Sequence, residues 1–347
     1  MSIQSYVRAI PKVELHVHLE GTIQPATVLI LAQRNHVELP AHDEITLRRL
    51  FAYRDFDHFI EIFLMAIRCL KTIEDYELIV YEFGAEMARH NVRYAEVTFT
   101  PSTHHRFGIS QDAYFSGLQR GRSRVHADFG VTIKWIFNIV RRWSDAGLTE
   151  PMADYATRVA IEGKDDGVVV LGLAGSEQGA PPERFARWFE QARTAGLHSV
   201  PHAGEMAGPE SIWSALHTLG AERIAHGVRA IEDARLVEYL VKERIPLDIT
   251  PTSNVRLGVY PNYETHPLPQ LYAAGANINV STDDPPLFNT TPSDELLLLV
   301  TRFNLDVTAI DQVVLNAVRS SFLSETQRSN LETACQEELA MLKAVHL

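Results

Sequence analysis

The sequence predicts an α/β fold, a (β/α)8 barrel of the TIM type with extra helices after the first strand and at the C-terminus, and three observations carry that prediction. Eight short apolar, β-branched runs occur in order along the chain. Stretches of helical period separate most of them. Histidine and aspartate recur at the ends of four of the runs, which is where barrel enzymes collect their chemistry.

The runs are VELHVHL from Val13, VRYAEVTF from Val92, VTIKWIFNIV from Val131, VVVLGLAG from Val168, HSVPHAGE from His198, ERIAHGV from Glu222, IPLDITP from Ile245 and NINVSTDDP from Asn277. Most are near-continuous rather than alternating, which suits strands covered on both faces, as in a parallel sheet. The long first connection holds DFDHFIEIFLMAIRCL, an amphipathic segment read chiefly as core packing and also placed to cover the barrel mouth. PERFARWFEQARTAG before the fifth run and DARLVEYLVKER before the seventh read as helices. So do SDELLLLVTRFN after the eighth and the tail from Asp306. An open doubly wound sheet is the alternative, and the lack of GxGxxG after the first run counts against its dinucleotide-binding form.

Barrels reach 347 residues as one unit, so a single domain over residues 1–347 is expected. Hydrophobic residues at 46% and charged residues at 22% suffice for a full core. A net charge of −12 repels nucleic-acid phosphates and anionic membrane surfaces. No stretch approaches the roughly 18 apolar residues of a membrane span, and a cytoplasmic, soluble protein is expected. Cys69 and Cys335 have no CxxC neighbour and read as buried thiols rather than a disulfide or a thiolate metal site.

His16 and His18 lie two apart on the first run, so a strand places both imidazoles on one face. That pair alone is a weak signal. His202 and Glu205 after the fifth run, His226 after the sixth, and Asp283 and Asp284 after the eighth give it a context. Three imidazoles and a carboxylate from this set suit one Zn2+ or another borderline divalent ion, with a position left for water. Adjacent Asp283 and Asp284 before proline can also be read as a turn or a helix cap.

PKVELHVHLEG, PHAGE, ERIAHG, TPTSN and STDDP, from Pro11 to about Phe288, resemble the motifs of the adenosine deaminase family. The resemblance implies a β/α barrel, one zinc ion per chain and hydrolytic loss of the 6-amino group of a purine. It implies His16, His18, His202 and Asp283 as metal ligands, Glu205 as proton shuttle and His226 as the residue orienting the zinc water. In LAGSE, Gly175 matches the glycine whose amide meets purine N3, and Asp284 matches the carboxylate that bonds N7. Zinc brings the pKa of bound water from 15.7 toward about 7, and an acid at the Glu205 position can protonate N1 so that C6 accepts attack.

The substrate signals divide. Adenosine deaminases usually carry Asp where this chain has Glu20, against the ribose 5′-hydroxyl, and the adenine deaminases of the family carry Glu. TPTSN and STDDP instead resemble the nucleoside type. YAEVTFTPSTHHRFG resembles the branch in menaquinone-making bacteria that deaminates aminodeoxyfutalosine, an adenosine with a bulky 5′ group. A 6-aminopurine nucleoside is therefore expected, with free adenine as the alternative. Binuclear amidohydrolases bridge their metals with a lysine at the fourth strand, absent from LGLAGSE. Cytidine deaminases need HxE with PCxxC. A non-catalytic relative would lack a ligand or the shuttle, and all those positions are filled here.

Overall fold

The computed structural model describes residues 2–53, 55–142 and 146–347. Among them, β1 (Lys12–His18), β2 (Val92–Phe99), β3 (Thr132–Val140), β4 (Val168–Ala174), β5 (His198–Ala203), β6 (Ile224–His226), β7 (Leu247–Ile249) and β8 (Ile278–Val280) form one sheet in sequence order. Every neighbouring pair is parallel. Val17 bridges Asp283 beyond the end of β8, with His18 N–H donating to Asp283 O at 2.9 Å and Asp283 N–H to His16 O at 2.9 Å. That bridge returns the sheet to its first strand, so the barrel holds and the open sheet does not.

All eight runs become strands. The last three shorten to three residues each, because the backbone leaves the β region soon after. His226 and Asp283 have φ of 67° and 65°, a left-handed conformation that a non-glycine residue adopts at a cost of about 1–3 kcal/mol and that clusters at functional sites. All seven residues of β1 are buried, including Lys12, Glu14, His16 and His18, in keeping with a strand covered on both faces.

Polar residues plug the barrel interior below the strand ends. Fully buried Arg223 donates to Glu96 at 2.5 Å, Asp248 at 2.7 Å and Ser320 O at 2.8 Å, and Asn279 donates to Asp248 at 2.6 Å. Buried charge is tolerated only when paired in this way. The plug ties β2, β6, β7 and β8 together.

The predicted amphipathic segment is the helix Phe56–Arg68, started by Asp55, whose side chain accepts from His58 N at 2.9 Å. Ile62, Ala66 and Ile67 pack into the core, while Phe56, Phe59, Ile60, Phe63 and Leu64 face a cavity over the strand ends. It therefore serves both readings, core element and roof. Helices Pro292–Thr301, Val307–Ser320 and Glu325–His346 complete the C-terminal part. Before β5, a 3-10 turn over Pro182–Phe185 precedes the helix Ala186–Thr194. Cys69 and Cys335 are buried and unpaired, and no described helix is long and apolar enough to cross a membrane.

Candidate active site

The strand ends converge on one buried cluster of donors. His18 Nε2 lies 3.3 Å from His202 Nε2 and 3.4 Å from Asp283 Oδ1, and His16 Nε2 lies 3.5 Å from Asp283 Oδ1. A tetrahedral ion about 2.0–2.1 Å from each ligand implies donor separations of about 3.3–3.4 Å. Protonation states agree. Burial, and then the charges of neighbouring groups, hold His16 and His202 well below the ordinary imidazole range, so both keep a lone pair. His16 Nδ1 faces Asp248 O at 3.4 Å, which places its proton there and turns the unpartnered Nε2 toward the other donors. The four residues fit a divalent ion.

His226 joins the cluster, with its ring 4.5 Å from that of His16 and its Nε2 3.6 Å from Glu205 Oε2. Its tautomer follows from a chain of hydrogen bonds. Leu268 N–H donates to His266 Nδ1 at 3.2 Å, so neutral His266 carries its proton on Nε2 and donates to Asn254 Oδ1 at 3.0 Å. The Asn254 amide nitrogen then faces His226 Nδ1 at 3.4 Å as a donor, and Thr250 Oγ1 lies 3.0 Å from the same atom. Nδ1 is the acceptor, and Nε2–H points into the site.

Glu205 is 8% exposed, buried rather than on a surface. Burial first, then the Asp283 and Glu177 charges, push its carboxyl well above the usual range. Asp284 is shifted the same way, by burial first and then by Asp283. It occupies the N-cap position of the short helix Pro285–Phe288 without a side-chain cap bond, and its Oδ1 has no partner. Gly21 lets it sit there, because a Cβ at Gly21 would fall 1.7 Å from Asp284 Oδ1.

Above these groups is a cavity of about 490 Å3 whose wall includes His18, His202, Glu205, His226, Asp283, Asp284 and Gly175. Gly175 follows β4 with φ of 92°. The roof is the aromatic face of the Phe56–Arg68 helix, and the exposed Arg68, Arg106 and Arg142 also line the opening. Glu20 is not brought to the wall. It lies behind Thr100, its Oε1 accepting from Thr100 N at 2.8 Å and facing His104 Nε2 at 3.1 Å, with Oε2 unpartnered. Tyr76 OH lies 2.7 Å from His104 Nδ1 and orients that ring.

Several residues with evident work here are not distinguished by pattern alone. Ser253 donates to Asp283 Oδ2 at 2.6 Å. Asn254 and Thr250 belong to TPTSN, and His104 to TPSTHH, so the segments were visible but not the partners. Glu177 belongs to LAGSE and Arg141 to none of the motif segments, and the partners of both are mostly backbone groups of other segments, which no local pattern encodes.

The adenosine deaminase family model matches residues 11–338. The chain belongs to the adenosine deaminase family. Like its relatives it is a hydrolytic deaminase of the purine type. This family member is 36% identical over 331 residues to the aminodeoxyfutalosine deaminase of Streptomyces avermitilis, covering 95% of this chain and 91% of the relative. It is also 36% identical over 328 residues to the adenine deaminase of Cupriavidus taiwanensis, covering 94% and 92%. The solved adenine deaminase of Arthrobacter aurescens superimposes with a TM-score of 0.88 at 33% identity, over 95% of this chain and 99% of that one. A Burkholderia ambifaria amidohydrolase with bound Zn superimposes with a TM-score of 0.90 at 26% identity, covering 99% of this deaminase and 95% of that chain.

Proposed function

We propose that this deaminase is a one-zinc enzyme acting on a 6-aminopurine nucleoside, adenosine or a 5′-substituted relative such as aminodeoxyfutalosine. The observation that carries the reading is the grouping of buried Glu205, its carboxyl pushed well above the usual range, the Nε2–H of His226 and a candidate metal set of which His18, His202 and Asp283 line the same cavity. His16, His18, His202 and Asp283 hold the ion. When bound, the ion lowers the pKa of water so that hydrolysis proceeds near neutrality.

The chain's own groups supply the rest. Glu205 delivers its proton to purine N1, which makes C6 electrophilic, and afterwards carries a proton to the departing amine. His226 donates through Nε2–H to the oxygen that adds to C6 and so stabilises the charge on it. Purine N7 and N3 are both acceptors, so each needs a donor. A protonated Asp284 is one, and the Gly175 amide is the other. The upward shift at Asp284 is what turns a carboxyl into that donor. The same proposal takes residues 1–347 as one barrel domain working in the cytoplasm on a small molecule.

The cavity favours a nucleoside, because about 490 Å3 lies within the roughly 300–1,000 Å3 of sites that enclose drug-sized ligands, more than a bare base fills. Glu20 and the adenine deaminase relatives support the second reading, free adenine. Turnover of adenine, adenosine and aminodeoxyfutalosine by the purified protein separates the two. A nucleoside kcat/KM about tenfold or more above that of adenine is expected, and adenine well ahead of both nucleosides would overturn the choice.

A further inference from the structure

The Glu205 carboxyl is 3.6 Å from His226 Nε2, too far for a hydrogen bond to hold it, so its aim depends on the backbone beneath it. That backbone is a tight turn after β5. Gly204 has φ of 68°, and a Cβ there would meet Ile212 Cδ1 at 2.3 Å. One buried carboxylate gathers the whole turn. Glu177 Oε1 accepts from the amides of Glu205 at 2.8 Å, Met206 at 2.8 Å and Ala207 at 3.2 Å, while Oε2 accepts from Gly204 N at 3.0 Å and Ser211 Oγ at 2.5 Å. At the other end of the segment, buried Arg141 donates to the carbonyls of His202 and Ala180.

We propose that Glu177 is a positioning residue for Glu205, its carboxylate fixing four consecutive amides, Gly204–Ala207, so that the Glu205 carboxyl is held against the substrate ring. This rests on the reading of Glu205 as the proton carrier. Amides in such a turn have no strand or helix partner, and an ionised acceptor binds each about twice as strongly as a neutral one. Glu177→Gln keeps the shape but replaces one acceptor oxygen with an NH2 group that faces amide donors, so part of the turn is released. Misplacement of a reacting group by about 1 Å is enough to lower a rate by about 100-fold.

The test uses the intact, metal-loaded protein and three readouts. With the fastest of adenine, adenosine and aminodeoxyfutalosine, Glu177→Gln should lower kcat by about 100-fold, with KM within about threefold and the metal content unchanged. In a Glu205→Gln background the same substitution should change the residual kcat by less than about threefold, since the two residues act as one unit. Amide hydrogen exchange over residues 204–207 should accelerate by at least about tenfold, and this readout stands whether or not Glu205 proves to be the proton carrier. Exchange at the wild-type rate, or a kcat loss that persists undiminished in the Glu205→Gln background, would overturn the proposal. If Glu177→Gln does not fold, Ser211→Ala removes one of the five donors, and an unchanged kcat in that variant overturns it equally.

Discussion

At the scale of single residues, the site works by placing groups in protonation states they do not hold in water. Burial and then the Asp283 and Glu177 charges push the Glu205 carboxyl well above its ordinary range, which under the proposed reaction suits it to hand a proton to a ring nitrogen. Glu205→Gln removes the proton without changing the shape. It should keep one divalent ion per chain by elemental analysis and lose deamination by several orders of magnitude; near-normal turnover would place the proton source elsewhere. Ser253 donates to Asp283 Oδ2 at 2.6 Å, so in the proposed metal site it would act on the ion through that carboxylate. Ser253→Ala frees that carboxylate to rotate. Such partners typically account for about 10–100-fold in metal affinity, so chelator competition should show weaker retention by that factor, and unchanged retention would mean that the strained backbone at Asp283 orients the carboxylate unaided.

At the scale of elements, the Phe56–Arg68 helix shows how one amphipathic stripe does two tasks. Ile62 is buried against the barrel, whereas Phe63 stands on the cavity side with its ring 6.4 Å from that of His18. The two faces predict different losses. Ile62→Ala should destabilise the fold by about 2–5 kcal/mol with little change in KM, read by denaturant unfolding and steady-state kinetics. Phe63→Ala should do the reverse, because an apolar wall contributing about 1–2 kcal/mol to substrate binding corresponds to about a 5–30-fold rise in KM. Equal effects of both on stability, with KM unmoved, would make the helix a core element alone. The strand ends are organised by the same economy of length. β6 ends after three residues and the chain turns left-handed before a long run forms, which aims His226 inward.

At the scale of the molecule, buried histidines tie stability to pH. His266 is enclosed beside Tyr260 and Phe303, and burial pushes it from 6.5 down to about 3. Between those values the unfolded chain binds a proton that the folded chain refuses, so stability falls as pH drops below 6.5. The slope is at most about 1.4 kcal/mol per pH unit for one such group. Comparing wild type with His266→Gln by urea unfolding at pH 6.5 and 5.0, wild type should lose about 2 kcal/mol more than the variant. Parallel losses in the two proteins would show that His266 protonates without leaving its pocket.

The sequence by itself determined the barrel and the inner cluster. Strand period is short-ranged, and a near-continuous apolar run is visible within seven or eight residues, so each strand could be read where it stands. His16, His18, His202, Glu205, His226, Asp283 and Asp284 could be singled out because chemistry at strand ends leaves polar residues in otherwise apolar runs. Only the tertiary structure decided which groups hold them. The Leu268 amide that sets the His226 tautomer through His266 and Asn254 and the Ser253 hydroxyl on Asp283 act through distances that no local pattern encodes. Glu20 is the clearest case. Its motif points at the substrate, yet the amide of Thr100, 80 residues on, draws it behind the cavity wall, because a buried carboxylate goes where unpaired donors are.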